Sequence, residues 1–395
     1  MNNRRILISG ASIAGPTLAY WLARRGFRPT VVERAPALRM GGNGVDIRGQ
    51  ALAVAEQMGI LDRVRELGTD VVGMSFVGEQ NQVLARVDLR AMQQAAGSGE
   101  VEIVRGAFAT LLHDVTRNDV EYIWDDSIES LVEHTGGVTV GFRRGPSREF
   151  DLVIGADGLH SNVRRKAFGD EAQFAHHLGH CFATAAADPS LGENRWVTLY
   201  NLPGKVAGVY RSGNHTGARA YFMWRSPRRD YDHRDMESQK RWLQEAYAGV
   251  GWRVPELLAG ASADPDFYFD ALTQTRMPSW SRGRVALVGD AAYCASPVTG
   301  AGATLSMVGA YRLAGELGAA GGDPALAFHR YEAGFRPIIE RAQSQLFTGM
   351  LVPKSRFSLW FRNTVAKSSV LGLMAGWERR FQPRVTPLPD YALAA

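Results

Sequence analysis

The segment from residue 5 to residue 33 constrains the fold of this chain more than any other part of it. An apolar strand, Arg5 to Ser9, leads into a glycine-rich turn from Gly10 to Gly15, and a helix with apolar residues at helical spacing follows. A second predicted strand ends at Glu33. Strand, tight turn, helix and strand form a βαβ unit, in which the helix N-terminus points free N–H groups at an anionic ligand. The segment therefore predicts a dinucleotide-binding α/β domain.

Two residues of this segment bear on ligand binding, one that fits the usual fingerprint and one that departs from it. Glu33 lies 23 positions after Gly10, where an acid can accept hydrogen bonds from a ribose. Ser12 replaces the second glycine of the usual fingerprint, so its side chain crowds the phosphates slightly while its hydroxyl can donate to one of them. Glycine spacing alone is only moderately specific. Its position between two strands and before an acid makes dinucleotide binding the favoured interpretation.

A second motif, Asp151 to Arg165, places the pair Asp157-Gly158 after a predicted strand. Taken alone, it has two interpretations of equal weight. One is a ligand site, and the other is a buried strand, an Asp-Gly turn and a basic helix capped by Ser161.

A third motif, Gly283 to Gly302, combines a buried strand ending in Gly289-Asp290 with a long glycine-rich loop and a helix from about residue 303 to 317. An aspartate at the end of a strand can accept hydrogen bonds from a polyol. Gly300 and Gly302 leave backbone N–H groups bare beneath a flat ring. The loop is too long and apolar for a simple turn, which favours a ligand.

The character of the chain changes between the motifs. Residues from about 173 to 270 read as antiparallel hairpins, which differ from the parallel pattern on either side. We therefore expect an α/β domain that is interrupted by a β-rich domain. The expected segments are 1–72, 101–172 and 273–345 for the α/β domain, 73–100 and 173–272 for the inserted domain, and 346–395 for a C-terminal helix.

Composition and the chain ends exclude several classes of protein. The net charge of +5 includes no dominant Lys/Arg block, so nucleic acid is not an expected partner. Two cysteines cannot form a disulfide framework, and the group His176, His177 and His180 lacks a convincing metal spacing. No signal peptide precedes the first strand, and no apolar stretch is long enough to span a bilayer. A cytoplasmic protein without a metal site is expected.

Together, the three ordered motifs resemble the class A flavoprotein monooxygenases, the p-hydroxybenzoate hydroxylase-like family. The resemblance covers nearly the whole chain and is nearest to aromatic polyketide hydroxylases and tetracycline-inactivating monooxygenases. It implies an α/β fold: a Rossmann-like FAD-binding domain of the GR2 type, an inserted β-rich substrate domain and a C-terminal helix.

The resemblance also implies roles for individual residues. The residues expected at the ADP half of FAD are Gly10, Ser12, Ile13, Ala14, Gly15, Glu33 and Arg34. Those expected along the ribityl chain and the isoalloxazine ring are Asp46, Arg48, Gly289, Asp290, Pro297, Gly300, Ala301, Gly302 and Ala303. Arg105 would reach FAD phosphate or ribityl groups. Asp157 with Gly158, helped by Arg164, would serve the pyrophosphates of FAD and NAD(P)H.

Three positions depart from the family pattern. Tyr293 stands where many members have His, and Ala301 and Thr304 replace a frequent Gln and Asn. These departures affect the expected contacts around the flavin ring, and they leave the strand, aspartate, loop and helix in place.

By the same resemblance, NADH or NADPH would reduce FAD, and O2 would then give a hydroperoxyflavin that transfers one oxygen atom to an aromatic or polycyclic substrate. A single dinucleotide fingerprint argues against reductases with two such domains. A flavin oxidase, a Baeyer–Villiger-type oxygenase and a non-catalytic flavin-binding protein remain alternatives. The aromatic and basic residues of 356–381 also allow a peripheral membrane helix, although a helix packed on both domains is preferred. A monomer or weak dimer is expected.

The substrate pocket is expected between the flavin and the inserted sheet. In the strand Ala218 to Arg225, one face is uniformly apolar and should pack on the domain's own core. The other face carries Tyr221 and Met223, which are expected to line the pocket. Trp196 and Tyr200, on the strand at 196–200, are assigned to the same pocket.

Overall fold

A computed structural model describes residues 4–39, 41–97, 99–229, 231–344, 351–367 and 387–391. Its strands, in chain order, are β1 (Arg5–Ser9), β2 (Arg28–Glu33), β3 (Gly44–Ile47), β4 (Gly73–Val77), β5 (Val83–Asp88), β6 (Val101–Val104), β7 (Glu121–Trp124), β8 (Ile128–His134), β9 (Gly137–Phe142), β10 (Arg148–Phe150), β11 (Leu152–Gly155), β12 (Ala175–Ala187), β13 (Trp196–Leu202), β14 (Lys205–Arg211), β15 (Ala218–Arg225), β16 (Tyr268–Thr275), β17 (Ser281–Arg282) and β18 (Val285–Leu287).

The helices, in the same order, are α1 (Ala14–Ala23), α2 (Gln50–Gln57), α3 (Leu61–Glu66), α4 (Leu89–Ala96), α5 (Arg105–Asp114), α6 (Asn162–Ala167), α7 (Met236–Tyr247), α8 (Val254–Ala263), α9 (Asp290–Tyr293), α10 (Gly302–Ala319), α11 (Pro324–Ser344) and α12 (Arg356–Lys367). Short 3-10 turns span Glu171–Gln173, Pro189–Leu191 and Pro297–Thr299.

The α/β domain is built on a sheet with the order β17-β18-β11-β1-β2-β7. Its strands are parallel except β17, which pairs with β18 in the antiparallel sense. β1 lies inside the sheet, and its Ile6, Leu7 and Ile8 are fully buried. Helices cover both faces, so such a strand must be apolar on both sides. The carboxyl ends of β1, β2, β11 and β18 meet at one edge, which is where ligands bind in open parallel sheets.

The β-rich domain is a seven-stranded sheet with the order β16-β12-β15-β14-β13-β4-β5. Its strands come from residues 73–88 and 175–275, so two separate stretches of the chain build it. The α7 and α8 helices cover one face, where Phe222 packs with Leu243, Tyr247 and Leu257. The Tyr247 hydroxyl donates to the carbonyl oxygens of Val206 and Met223, which locks α7 onto the sheet.

The opposite face of this sheet looks toward the α/β domain, and we call it the pocket face. It carries Tyr221 and Met223, which share one face of β15. Met223 packs with Phe76, Leu199, Val206 and Leu272 in an apolar cluster separate from the one under α7 and α8. The expectation that the apolar face of β15 packs on the domain's own core agrees with this arrangement.

The C-terminal segment packs against the β-rich domain. The guanidinium of Arg362, on α12, lies 3.9 Å from the centre of the Phe76 ring and donates to Asn201 Oδ1 at 3.0 Å. Phe357, Trp360 and Phe361 are exposed on the same helix. The other apolar residues of the suggested membrane helix, Leu371, Met374 and Trp377, lie outside the described residues. Within the described residues, no helix has the length and apolar character needed to cross a bilayer.

Candidate functional site

The turn between β1 and α1 depends on its two glycines. Gly10 has φ +108°, and a Cβ there would lie 2.5 Å from the carbonyl oxygen of Ala156. A Cβ on Gly15 would overlap the carbonyl oxygen of Gly10. Both positions therefore exclude side chains, and the turn can hold α1 with its first N–H groups, including those of Ile13 and Ala14, directed outward at the sheet edge.

Ser12 and Arg105 meet at this turn although 93 residues separate them in the chain. The Nε and Nη2 atoms of Arg105 lie 3.2 and 3.1 Å from Ser12 Oγ, and both donate to it. Arg105 begins α5, directly after β6, and its side chain is exposed. The serine hydroxyl thus fixes a cation beside the phosphate-binding turn. A guanidinium in this place can pair with a pyrophosphate in bidentate geometry.

Glu33 ends β2 and holds the turn through its carboxylate. Oε2 accepts from the Ala11 amide at 2.9 Å, and Oε1 accepts from the Ala35 amide at 3.0 Å. A carboxylate has about four acceptor sites, so both oxygens retain capacity for the hydroxyl groups of a ribose. Arg34, the next residue, is exposed at the same edge.

Gly289 and Asp290 stand at the carboxyl end of the β18 strand. Gly289 has φ +67°, and a Cβ there would lie 2.9 Å from Ser306 Oγ and 3.1 Å from the Ala14 Cβ, so the glycine lets α1 and α10 converge. Burial raises the pKa of Asp290, and the positive charge of Arg105 works against that shift. Asp290 Oδ1 lies 3.8 Å from the Cβ position of Gly302. The carboxylate therefore faces the start of α10 and the field of Arg105 together.

The loop before α10 is joined to β3 by several hydrogen bonds. Arg48 Nη2 donates to the Thr299 carbonyl at 2.7 Å, and its amide donates to Thr304 Oγ1 at 3.2 Å. Thr304 Oγ1 in turn donates to the Asp46 carbonyl at 3.0 Å. Gly300 has φ +60°, and a Cβ there would lie 2.5 Å from Asp46 Oδ2. Burial raises the pKa of Asp46, which Arg48 opposes.

Two of the departures from the family pattern are explained by these contacts. Thr304, in the first turn of α10, bonds to Asp46 of β3 and to the amide of Arg48. Tyr293 is fully buried below the loop, where its hydroxyl accepts from Tyr331 at 3.0 Å and its ring packs on Trp280. The Tyr293 side chain thus belongs to the core. Pro297 is exposed at the rim of this loop, and Ala301 and Ala303 are buried in it.

We call the space bordered by the Gly10–Gly15 turn, Arg105, Asp290 and the Gly300–Gly302 loop the cofactor cleft. The long α10 helix starts at its edge, at Gly302. Its first N–H groups have no partners inside the helix, and the positive end of its dipole is directed at the cleft. The cleft therefore offers two helix N-termini, one guanidinium and one carboxylate. These donors fit the pyrophosphate of a dinucleotide, and the carboxylate fits its polyol.

The predicted role of Arg164 was wrong. Its side chain is 1% exposed, and it donates to the carbonyl oxygens of Ala291 and Leu159 and pairs with Glu171 at 3.3 Å. A buried guanidinium with these internal partners cannot reach a pyrophosphate. It ties the segment after β11 to the segment after β18.

Asp157 also differs from its predicted role. Its carboxylate accepts from the amides of Asn162 and Val163 at 2.9 and 3.1 Å and from the Ser161 hydroxyl, so it caps α6. The carboxylate is directed at the start of α6. Of the two interpretations that the sequence left open, the structural one accounts for this side chain. Gly158, with φ +82°, completes the turn.

The assignment of Trp196 and Tyr200 to the pocket was wrong. In the antiparallel register, Tyr200 pairs with Ala207 and Ala207 pairs with Phe222, and directly paired residues share a face. Tyr200 therefore lies on the α7 and α8 side, where its ring contacts Trp252 at 5.5 Å. Trp196 lies four residues earlier on the same face.

Val197 and Leu199 of β13 lie on the pocket face instead, in the cluster with Met223. Polar residues that the sequence analysis missed border this wall. Tyr210 donates to Glu102 Oε2 at 3.1 Å, and Glu102 Oε2 also accepts from Thr69 at 2.8 Å. Burial raises the pKa of Glu102. No spacing along the chain indicated this cluster, because its members come from both domains.

The comparisons with known proteins agree with this geometry. A family model described as FAD binding domain matches residues 3–343. An uncharacterized protein of Mycobacterium tuberculosis (strain ATCC 25618 / H37Rv) is 45% identical over 341 residues, which are 86% of this chain and 92% of the relative. A protein of Legionella longbeachae named as a flavin-dependent monooxygenase is 39% identical, over 86% of this chain and 87% of its own length.

Among solved structures, tetracycline destructase Tet(55) superimposes with a TM-score of 0.83 at 37% identity, covering 98% of this chain and 99% of the other. The similarity thus extends over both domains and the cleft between them.

Proposed function

Because this chain belongs to the FAD-binding-domain family and is an FAD-dependent monooxygenase, we propose that it takes electrons from NADH or NADPH and transfers one oxygen atom from O2 to an aromatic or polycyclic substrate. The substrate class includes phenols, polyketides and tetracycline-like compounds. The observation that carries the proposal is that Val298, in the loop that borders the cofactor cleft, packs against the Met223 cluster of the pocket face, so that an anion-binding site and an apolar wall adjoin.

The residues of the cleft fit FAD. Gly10 and Gly15 leave no room for side chains, so backbone can approach a pyrophosphate, and Arg105 stands beside it. Asp290 is placed to accept hydrogen bonds from ribityl hydroxyl groups. Gly300 and Gly302 form a surface without side chains against which a flat ring can lie. When bound, FAD supplies the redox chemistry, since it accepts a hydride and, once reduced, activates O2.

The protein contributes binding, electrostatics and exclusion of water. The N-terminus of α10 stabilises negative charge that develops beside it, through its dipole and its free N–H groups. Met223, Leu199 and Phe76 make one wall of the pocket apolar, which keeps water from the reacting centre. No nucleophilic side chain of the protein is needed for the transfer of oxygen.

The proposal is tested by a screen for substrate-stimulated oxidation of NADH and NADPH. Phenols, polyketides and tetracyclines are offered singly to the FAD-loaded protein, and pyridine nucleotide, O2 and hydrogen peroxide are followed together. We expect one compound class to accelerate nucleotide oxidation and to yield a product that is 16 mass units heavier, the mass of one oxygen atom. Oxidation that no compound accelerates, with all O2 recovered as peroxide, would reject the proposed substrate class.

A further inference from the structure

His160 lies between two carboxylates that come from different domains. It belongs to the turn between β11 and α6, in the α/β domain. Its Nδ1 atom is 2.9 Å from Glu171 Oε1, and its Nε2 atom is 3.4 Å from Asp270 Oδ2, on β16 of the β-rich domain. The ring also stacks on His233, with the ring centres 4.2 Å apart. A single imidazole therefore bridges the two domains.

The geometry favours the protonated state of this imidazole. A neutral imidazole has one N–H donor, whereas both nitrogens of His160 face carboxylate oxygens. A carboxylate beside each nitrogen favours a proton on both, which makes the ring an imidazolium. Burial opposes this charge, but hydrogen bonds and the charges of Asp270 and Glu171 outweigh it and raise the pKa of His160 to about 9.

Asp270 connects this contact to the cofactor cleft. The register of β12 places Asp270 opposite Phe182 and Tyr268 opposite Thr184, and Thr184 pairs with Tyr221. Asp270 and Tyr268 therefore both lie on the pocket face. The Tyr268 hydroxyl donates to Asp270 Oδ2 at 3.1 Å, the same oxygen that faces His160. Tyr268 is 38% exposed, and its hydroxyl lies within electrostatic range of Arg105, which borders the cleft.

The neighbouring His233 does not supply the positive charge that His160 provides beside Asp270. Asp270 is 4% exposed, and besides His160 it accepts from Tyr268 and from Tyr231, the latter at 2.6 Å. Burial and the nearby charge of His160 lower the pKa of His233, which favours a neutral ring in the stack. Among the described residues, further charged groups that act on this cluster are Asp290, which interacts with Asp270, Arg164, which pairs with Glu171, and Asp232 and Arg234 beside His233.

We propose that His160, as an imidazolium, is a positioning residue: it ties the Asp157–Ser161 turn to the edge strand β16 and, through Asp270, holds Tyr268 against the cofactor cleft. Loss of the proton leaves the buried Asp270 carboxylate without its cation, which loosens the contact between the domains. The stability of the domain contact does not depend on catalysis. Its effect on cofactor retention rests on the proposed function.

The sign of the pH dependence follows from the raised pKa. The stabilisation is complete below the unfolded pKa of 6.5 and is lost as the pH rises through about 9. The ratio of folded to unfolded wild-type protein should fall by roughly a hundredfold between these limits, relative to a variant without the imidazole.

The experiment compares urea unfolding of wild type, His160→Gln and His160→Lys between pH 6 and pH 10, with and without FAD. His134→Gln is the matched control, because His134 pairs with Glu149 at 2.9 Å on an exposed strand away from the cleft. We expect the stability difference between wild type and His160→Gln to shrink from pH 6.5 to 9. His134→Gln should follow wild type, and His160→Lys, which keeps a cation, should lose less stability through this range.

FAD affinity gives the second measurement. At pH 7, His160→Gln should weaken FAD binding by roughly three- to tenfold, the equivalent of one hydrogen bond, and Tyr268→Phe should do the same without affecting folding. A difference in stability between wild type and His160→Gln that stays constant across the pH range would overturn the proposal. If His160→Gln cannot be folded, FAD affinity in Tyr268→Phe equal to that of wild type would overturn it. Failure of every substrate to stimulate NAD(P)H oxidation would reject the proposed function while leaving the unfolding result valid.

Discussion

The charged residues of the cofactor cleft can be tested by single substitutions, and Asp290 allows the most direct test. Asp290→Ala removes a carboxylate that faces Gly302 and the field of Arg105. A hydrogen bond to a charged group contributes about 1.5–3 kcal/mol, so the dissociation constant for FAD should rise by roughly one to two orders of magnitude. Fluorescence titration of the apoprotein measures it. Asp62→Ala, an exposed carboxylate paired with Arg65, is the control and should bind FAD like wild type. Equal affinity in both variants would mean that Asp290 does not hold the ribityl chain.

Glycine positions allow steric effects to be separated from backbone strain. Gly300 and Gly59 both have positive φ, +60° and +70°, but a Cβ on Gly300 would lie 2.5 Å from Asp46 Oδ2 whereas a Cβ on Gly59 would meet nothing within 4 Å. Gly300→Ala should therefore displace the loop and weaken FAD binding, while Gly59→Ala should cost only the strain of its φ, about 1–2 kcal/mol of unfolding free energy. Calorimetry with and without FAD distinguishes them. Equal FAD affinity in the two variants would contradict the placement of this loop.

Asp157 and Arg164 show the limit of interpretation from single residues. A helix-capping aspartate and a ligand-binding aspartate look alike in sequence, because both follow a strand and precede a helix. The difference lies in where the carboxylate points, and here Asn162 and Val163 hold it. Arg164 was equally ambiguous, since only its burial against Ala291, which is 127 residues away, shows what it binds.

At the scale of elements, the local motifs were predictable and the faces of β13 were not. The βαβ unit, the strand before Asp290 and the start of α10 depend on neighbouring residues, so glycine positions and apolar periodicity identify them. The face on which Tyr200 lies depends on the register of β13, β14 and β15, which no spacing within β13 reveals. The aromatic residues of β13 did not identify the face of the strand that lies toward the pocket.

The corrected faces give a prediction for β13 and β15. Tyr200→Ala should lower the unfolding free energy by about 3–5 kcal/mol and leave substrate preference unchanged, because its ring packs under α7 and α8. Met223→Leu conserves volume and should cost less than about 1.5 kcal/mol while it alters turnover or peroxide release. Urea unfolding and steady-state kinetics measure the two effects. A Tyr200→Ala protein with wild-type stability and a new substrate preference would show that the faces are reversed.

At the scale of the whole molecule, the two domains form the site jointly. The α/β domain contributes the anion-binding turn, Asp290 and α10, and the β-rich domain contributes the apolar wall. Contacts such as Tyr210 with Glu102 and His160 with Asp270 hold the two together, and they join residues about 110 positions apart. Such pairings are set by topology, which explains why the sequence indicated the domains but not the residues between them.

The central claim, that one cleft of this chain holds FAD against the pocket face, is tested most directly by the flavin content of the purified protein. Absorbance before and after denaturation gives the identity and amount of released flavin. We expect one non-covalently bound FAD per chain, either retained on purification or recovered when the apoprotein is reconstituted with FAD. A colourless protein that takes up no FAD on reconstitution would contradict it.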